Sequence, residues 1–170
     1  ILTGSDDGTA RLWSLDGCLV QTFIGHDGPV RSVAFSPDGQ AILTGSDDGS
    51  ARLWSLDGRL VQIFSGHDGP VRSVVFSPDG QTILAGSDGN VVRLWQLNGR
   101  LVQTFSGHSG PVRSVAFSPD GQTILTGSED NTAYIYPTPQ RIYEYLQHEA
   151  AIPELTAEQR EQYGIYWEEE

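Results

Sequence analysis

The 170-residue chain contains no lysine and no methionine, and its only cysteine is Cys18. Without lysine these residues form neither a Lys-bearing phosphate loop nor a Schiff base. A single thiol makes no intrachain disulfide and no thiolate metal cluster, so a reducing, cytoplasmic setting is expected. Long apolar runs are missing too: nothing approaches the ~18–20 residues that span a bilayer, and no charged-then-apolar leader opens the chain. Basic charge is scarce, with ten Arg against 22 Asp and Glu for a formal net charge of −12. That balance disfavours nucleic acid and anionic membrane as partners. From Pro137 onward eight Glu stand against two Arg, ending on Glu168, Glu169 and Glu170, the composition of a solvated acidic tail.

What the chain has in abundance is repetition. Trp13, Trp54 and Trp95 stand 41 residues apart, and so do His26, His67 and His108, and Pro37, Pro78 and Pro119. In the unit from Gly25 to Phe64, Val30 to Phe35 alternates and is rich in β-branched and aromatic residues, so it reads as a strand. Ser36-Pro37-Asp38-Gly39 supplies a turn, with proline to preset φ and glycine to accept a positive one. Ala41 to Ser46 is the second strand, and Asp-Gly turns at Asp48-Gly49 and Asp57-Gly58 lead into Ala51 to Ser55 and Leu60 to Phe64. A period of about 40 to 45 residues with four strands per unit predicts an all-β propeller array, whose units bury their apolar faces only against one another.

Counting along the chain predicts fourteen strands over residues 1–136, in blade parts 1–23, 24–64, 65–105 and 106–136. The first part lacks an inner strand and the last an outer one, leaving two complete blades. An acidic helical tail over residues 137–170 is expected to follow. There Thr138 caps a helix with Pro139 in its first turn, Ile142, Tyr145 and Leu146 share one face, and Pro153 stops it. Thr156 with Gln159 and Gly164 suggests a second short helix. His148 has no second ligand at metal spacing and reads as solvated, and Cys18 stands where sibling units carry Arg59 and Arg100. No metal site and no cofactor is expected.

Gly25-His26, Asp48-Gly49 and Trp54, repeated at Gly66-His67 and Gly107-His108, resemble a WD-repeat unit. Proteins of that family form closed propellers, most often of seven blades, whose last blade takes its fourth strand from the N-terminus. The resemblance therefore implies that an ending after the third strand is a natural closure. An opening without an inner strand, in a chain with no Met, points instead to the C-terminal part of a longer protein. The uniform units with their Ser-Pro-Asp-Gly-Gln turns, and the tail around Ile152-Pro153-Glu154-Leu155, look like bacterial, especially cyanobacterial, multidomain WD-repeat proteins. Their C-terminal propellers are thought to act as sensors for N-terminal domains.

His26, Thr44, Asp48 and Trp54 hold the ingredients of a nucleophilic triad. The resemblance implies a different role, a buried structural tetrad, and recurrence in every blade favours architecture over catalysis. The copies differ. Thr3, Asp7 and Trp13 lack a His, and His108, Thr126 and Asp130 are followed by Tyr136 in place of Trp. In the third unit Ala85 and Gly89 replace the hydroxyl and the acid, which strands His67 and Trp95. Asp88, one place early, is expected to rearrange its turn. The resemblance also places Arg31, Arg72 and Arg113, and the acids Asp6, Asp47, Asp88 and Glu129, at the mouth of the central channel. Free guanidinium forks there suit a carboxylate-bearing partner, whereas mutual pairing of the two rings would only keep the surface soluble. The expected function is a non-enzymatic module for a protein or peptide partner. The alternative is a self-assembly element that closes a ring with a second copy through open blade edges, and any catalytic domain would lie before Ile1.

Overall fold

In a computed structural model describing residues 1–149 and 156, the alternating runs become fourteen strands and one helix among the described residues. Each repeat is an antiparallel meander. The first comprises β1 (Leu2–Gly4), β2 (Thr9–Trp13) and β3 (Leu19–Ile24); the second β4 (Val30–Phe35), β5 (Ala41–Ser46), β6 (Ala51–Ser55) and β7 (Leu60–Phe64). The third comprises β8 (Val71–Phe76), β9 (Thr82–Ser87), β10 (Val92–Gln96) and β11 (Leu101–Phe105); the fourth β12 (Val112–Phe117), β13 (Thr123–Ser128) and β14 (Ala133–Pro137). β8 lies along β4 and β5, and β12 along β8 and β9, so the sheets stack face to face as part of a propeller.

Local chemistry sets the hairpins. The Gly39 N–H donates to Ser36 O at 2.9 Å with φ at 69°, while the Asp38 carboxylate accepts from Ser36 Oγ at 2.6 Å and from the Gln40 N–H at 3.0 Å. The same bonds recur in the turns after β8 and β12. A self-bonded Asx turn of this kind needs no tertiary support, which is why its sequence is readable.

Period-two alternation then distributes the core between neighbours. On β5, Ile42 joins Ala10, Phe23, Val30 and Trp54 against the first sheet, while Leu43 joins Val71, Val74 and Ile83 against the third. On β9, Ile83 faces back and Leu84 faces forward to Val112, Val115 and Ile124. An aromatic pair spans each junction: Phe23 with Trp54 at 6.1 Å, Phe64 with Trp95 at 6.0 Å and Phe105 with Tyr136 at 5.1 Å between ring centroids. Such pairs prefer the tilted and edge-on arrangements seen here.

Close approach between sheets depends on a glycine in each second strand. A Cβ on Gly45 would lie 2.8 Å from Val74 Cγ1 and 2.9 Å from Val71 Cγ1, and one on Gly86 would lie 2.9 Å from Val115 Cγ1 and 3.0 Å from Val112 Cγ1. The matching Gly127 has nothing nearer than Ser114 Cβ at 4.0 Å.

After β14, helix α1 (Pro139–Glu149) begins on the Thr138 side chain, whose Oγ1 accepts the Arg141 N–H at 3.3 Å. The face that Ile142, Tyr145 and Leu146 share is not the most buried one: Tyr143 is buried and Tyr145 is 64% exposed. The cause is polar. Thr138 donates its N–H to Gln122 O at 3.0 Å, Gln122 Nε2 donates to Glu144 Oε2 at 3.0 Å, and Gln140 Nε2 donates to Glu144 Oε1 at 3.1 Å. These bonds turn the 140/144 side, with Tyr143 beside it, toward the sheet. The expected second helix and the side chain of His148 lie outside the described residues. No helix among the described residues is long and apolar enough to cross a membrane.

Gly86→Ala is expected to destabilise the chain by about 1–3 kcal/mol through overpacking at the third junction. Gly127→Ala should stay within about 0.5 kcal/mol of the parent. Urea unfolding of both variants measures the difference.

Candidate functional site

The most complete polar constellation belongs to the second unit. His26 stands just before β4, Thr44 in the middle of β5, Asp48 in the β5–β6 turn and Trp54 near the end of β6. The turn brings the carboxylate back over the strand, so that His26 Nδ1 lies 2.7 Å from Asp48 Oδ2 and Nε2 lies 2.7 Å from Thr44 Oγ1. Trp54 Nε1 donates to the same Thr44 oxygen at 2.9 Å. The directions are mutually consistent: an ionised Asp48 takes the Nδ1 proton, and Nε2 accepts the Thr44 hydroxyl proton.

Two further residues complete this network, and neither was singled out from the sequence. Ser50 Oγ donates to Asp48 Oδ1 at 2.7 Å, and Arg52 reaches Asp48 Oδ2 at 3.3 Å and also bonds Gly25 O. The signal was present as a hydroxyl two residues after each tetrad acid, at Thr9, Ser50 and Thr132, with Val91 where the acid is lost. Burial alone would raise the Asp48 carboxyl, but the hydrogen bonds from Ser50 and His26 outweigh it and hold it down to about 2. Burial lowers His26, against the opposing pull of Asp48. Thr44 is completely buried and has no face open to a substrate, so the hydroxyl, imidazole and carboxylate set a register between strands without forming a reactive triad.

The other copies are partial. In the first unit Trp13 Nε1 donates to Thr3 Oγ1 at 3.0 Å, while Asp7 bonds Thr9 and Arg11, and the hydrogen bonds from Thr9 hold its carboxyl well below the usual range. In the fourth, His108 lies 2.9 Å from Asp130 and 2.8 Å from Thr126. Tyr136 does not enter this set. Its hydroxyl sits at the far end of the ring and overshoots Thr126 to donate to Ser106 O at 3.0 Å, while Tyr134 stacks on His108 with centroids 4.5 Å apart.

The third unit corrects an expectation. The turn carrying Asp88 is not rearranged: the Asp88 N–H donates to Pro70 O at 2.9 Å and the Asn90 N–H to Ser87 O at 3.3 Å, as at Asp47 and Gly49. Asn90 tolerates the required φ of 65°. The change lies across from it, at Gly69 with φ of 117°, where the sibling Gly28 and Gly110 have no positive φ. In the siblings the acid anchors this loop, Asp48 Oδ2 accepting the Asp27 N–H at 3.1 Å and Asp130 Oδ2 the Ser109 N–H at 2.9 Å. Without an acid, His67 and Trp95 keep their ring nitrogens buried and unpartnered.

A second constellation runs along the rim. The register slips between Val30 and Ser32, between Val71 and Ser73, and between Val112 and Ser114, making Arg31, Arg72 and Arg113 the extra residue of a β-bulge. A bulge re-aims its side chain, and here it sends each guanidinium sideways along the strand ends. Arg31 donates to Asp47 of its own unit at 2.7 and 2.9 Å and to Asp6 of the preceding unit at 2.6 Å. Arg72 does the same with Asp88, from 2.7 Å, and with Asp47 at 2.6 Å. Arg113 pairs with Glu129 at 2.7 Å and Asp88 at 2.8 Å. The result is a continuous ladder, Asp6–Arg31–Asp47–Arg72–Asp88–Arg113–Glu129. Hydrogen bonding to Arg72 holds the Asp88 carboxyl below its usual range, and Asp47 and Asp88 raise Arg31 and Arg72 respectively. The forks are thus occupied by acids of the chain itself.

Stacked meanders, each tied at one end by a His–Asp bond or its remnant, define a repeat-propeller scaffold. The chain belongs to the WD-repeat family: the model of the WD domain, G-beta repeat, matches residues 1–14, 17–55, 58–96 and 99–136. Over 36 residues it is 61% identical to WD repeat-containing protein 90 of Mus musculus, which is 21% of this chain and 2% of that protein. Over 40 residues it is 48% identical to nuclear distribution protein PAC1 of Tuber melanosporum, 24% of this chain and 9% of that one. Over 38 residues it is 53% identical to PAC1 of Fusarium vanettenii, 22% and 8%. These matches span only a small fraction of each relative, and none of the three relatives is bacterial. The repeats imply a non-catalytic protein-interaction module.

Asp48→Ala orphans His26, the Asp27 N–H and part of Arg52, and should lower stability by about 3 kcal/mol in thermal or urea unfolding. His67 gives a pH signature. Burial, reinforced by the Arg93 charge, pushes it down from 6.5 to about 4. Its folded-state pKa is the lower one, so the unfolded chain binds the extra proton: the contribution is full above about pH 6.5 and is lost toward pH 4, about 3 kcal/mol in all. His67→Phe should therefore lose less stability than the parent between pH 7 and pH 4.5, as measured by urea unfolding at both.

Proposed function

We propose that the rim formed by the ladder is the surface this module presents to a protein or peptide partner, and that the partner contributes basic side chains. The carrying observation is the ladder itself: four acids alternate with three Arg, and of the acids Asp6 and Glu129 are the exposed ones, at 82% and 54%. Within the chain the Arg forks are already satisfied, so a carboxylate-bearing partner would have to displace an internal acid. A Lys or Arg of a partner can pair with the exposed rim acids without breaking the ladder. Asp27 and Asp68, exposed near the same edge, add to the acidic field. Pairing across units also preorganises the rim, which reduces what binding must spend on ordering side chains.

The larger setting belongs to the same proposal. Uniform units and the acidic tail support a sensor segment in the C-terminal part of a bacterial, cytoplasmic multidomain protein. Selection from a random peptide display library against the whole chain tests the rim. Peptides enriched in Lys or Arg should emerge, bind less tightly as salt rises, and lose binding to an Asp6→Lys, Glu129→Lys double variant that still unfolds cooperatively. Selected peptides free of basic residues, or binding that survives the double change, would sink the reading. A discrete dimer in sedimentation would favour self-assembly into a ring instead.

A further inference from the structure

The third unit has kept the donors of the buried network and lost its acceptors. His67 Nδ1, His67 Nε2, Trp95 Nε1 and Arg93 Nη1 are all buried without a partner, and His67 is 9% exposed. The second unit shows what each atom would meet. His26 Nδ1 faces the Asp48 carboxylate, with Arg52 Nη2 on the same oxygen and Arg52 Nη1 on Gly25 O, while His26 Nε2 and Trp54 Nε1 share the Thr44 hydroxyl. Two separate acceptor positions are therefore implied, one fit for a carboxylate and one for a hydroxyl or a water.

The chain does not fill the first position from its own residues. Gly89 stands where the acid would be, and Asp88 is committed to Arg72 and Arg113. Among the described residues the acid paired with Arg93 is Asp68, at 3.5 Å, and its carboxylate is turned to solvent. A side chain on Gly89 is blocked as well, since its Cβ would lie 2.6 Å from Asp68 O. The Asp68 carbonyl thus lies against Gly89, and Gly69 beside it takes a left-handed φ of 117°.

We propose that the third unit binds a small free carboxylate, of formate or acetate size, between His67 Nδ1–H and the Arg93 guanidinium, in the place that the Asp48 side chain takes in the second unit. Arg93 supplies the charge, His67 a directed donor, and the two arrive from different elements, the loop before β8 and strand β10. Entry moves the Asp68–Gly69 segment back toward the position its siblings hold. One ligand oxygen then accepts the Asp68 N–H, as Asp48 accepts that of Asp27. The ligand replaces a side chain that the repeat pattern would otherwise encode, so its size is limited to about that of the missing carboxyl group.

The test is a titration of the 170-residue chain with sodium formate, following the His67 ring nitrogens by NMR, alongside thermal melting. A saturable shift at His67 is expected. At formate about tenfold over its dissociation constant the melting temperature should rise by roughly 4 °C. Sodium chloride at equal ionic strength should do neither, and His67→Phe should abolish the melting response. A linear, unsaturated shift, an equal response to chloride, or an undiminished melting response in His67→Phe would overturn the proposal.

Discussion

Everything in this molecule depends on how closely one sheet can lie on the next. A meander of three or four strands has two apolar faces and cannot bury either by itself. The junctions solve this with a small residue opposite a branched one: Gly45 under Val71 and Val74, Gly86 under Val112 and Val115. That approach brings the aromatic pairs into contact and lets Ser32 Oγ accept the Val74 N–H at 3.1 Å, and Ser73 Oγ the Val115 N–H at 3.2 Å. It also sets the spacing of the rim. An Arg can reach an acid of its own unit and one of the preceding unit only because the sheets are that near.

Two polar systems are built on this frame, and they follow different rules. The buried network lies within one unit and is all or nothing, since a donor without its acceptor keeps its desolvation cost. The rim ladder crosses units and is partly solvated, so each pair adds little alone while the chain of pairs fixes orientation. Their independence is visible in the third unit. Loss of the hydroxyl and the acid there leaves the Asp88 turn, and hence both of its ion pairs, in the sibling geometry.

The strands were legible because their turns are local: Ser-Pro-Asp-Gly and Asp-Gly close on their own side chains, and alternation needs no knowledge of the partner sheet. The grouping of His26, Thr44, Asp48 and Trp54 was legible through a resemblance, and the broken third copy through the two missing residue types. What stayed hidden depends on distances between units. Nothing in Val30-Arg31-Ser32 marks a bulge, so the sideways aim of Arg31, and with it the internal use of every fork, could not be read. Tyr136 failed for a similar reason, because replacing an indole by a phenol moves the polar atom to the end of the ring. The buried side of the helix could not be read from the apolar spacing, because hydrogen bonds at Gln122, Gln140 and Glu144 bring another side toward the sheet.

The degenerate third unit shows which of these forces can be spared. Its junction with the second contains a large continuous apolar cluster, including Leu43, Leu53, Phe64, Phe76, Ile83, Ala85 and Trp95. Ala85 sits fully buried in that cluster where its siblings place a threonine committed to the network. The donors His67 and Trp95 keep their desolvation cost, and the unit bears it because it remains clamped between neighbours whose own registers are set. Apolar packing therefore carries the array, and the network chooses among registers that packing alone would leave close in energy. A repeat flanked on both sides inherits its register from its neighbours, so it can give up the acid and keep the donors.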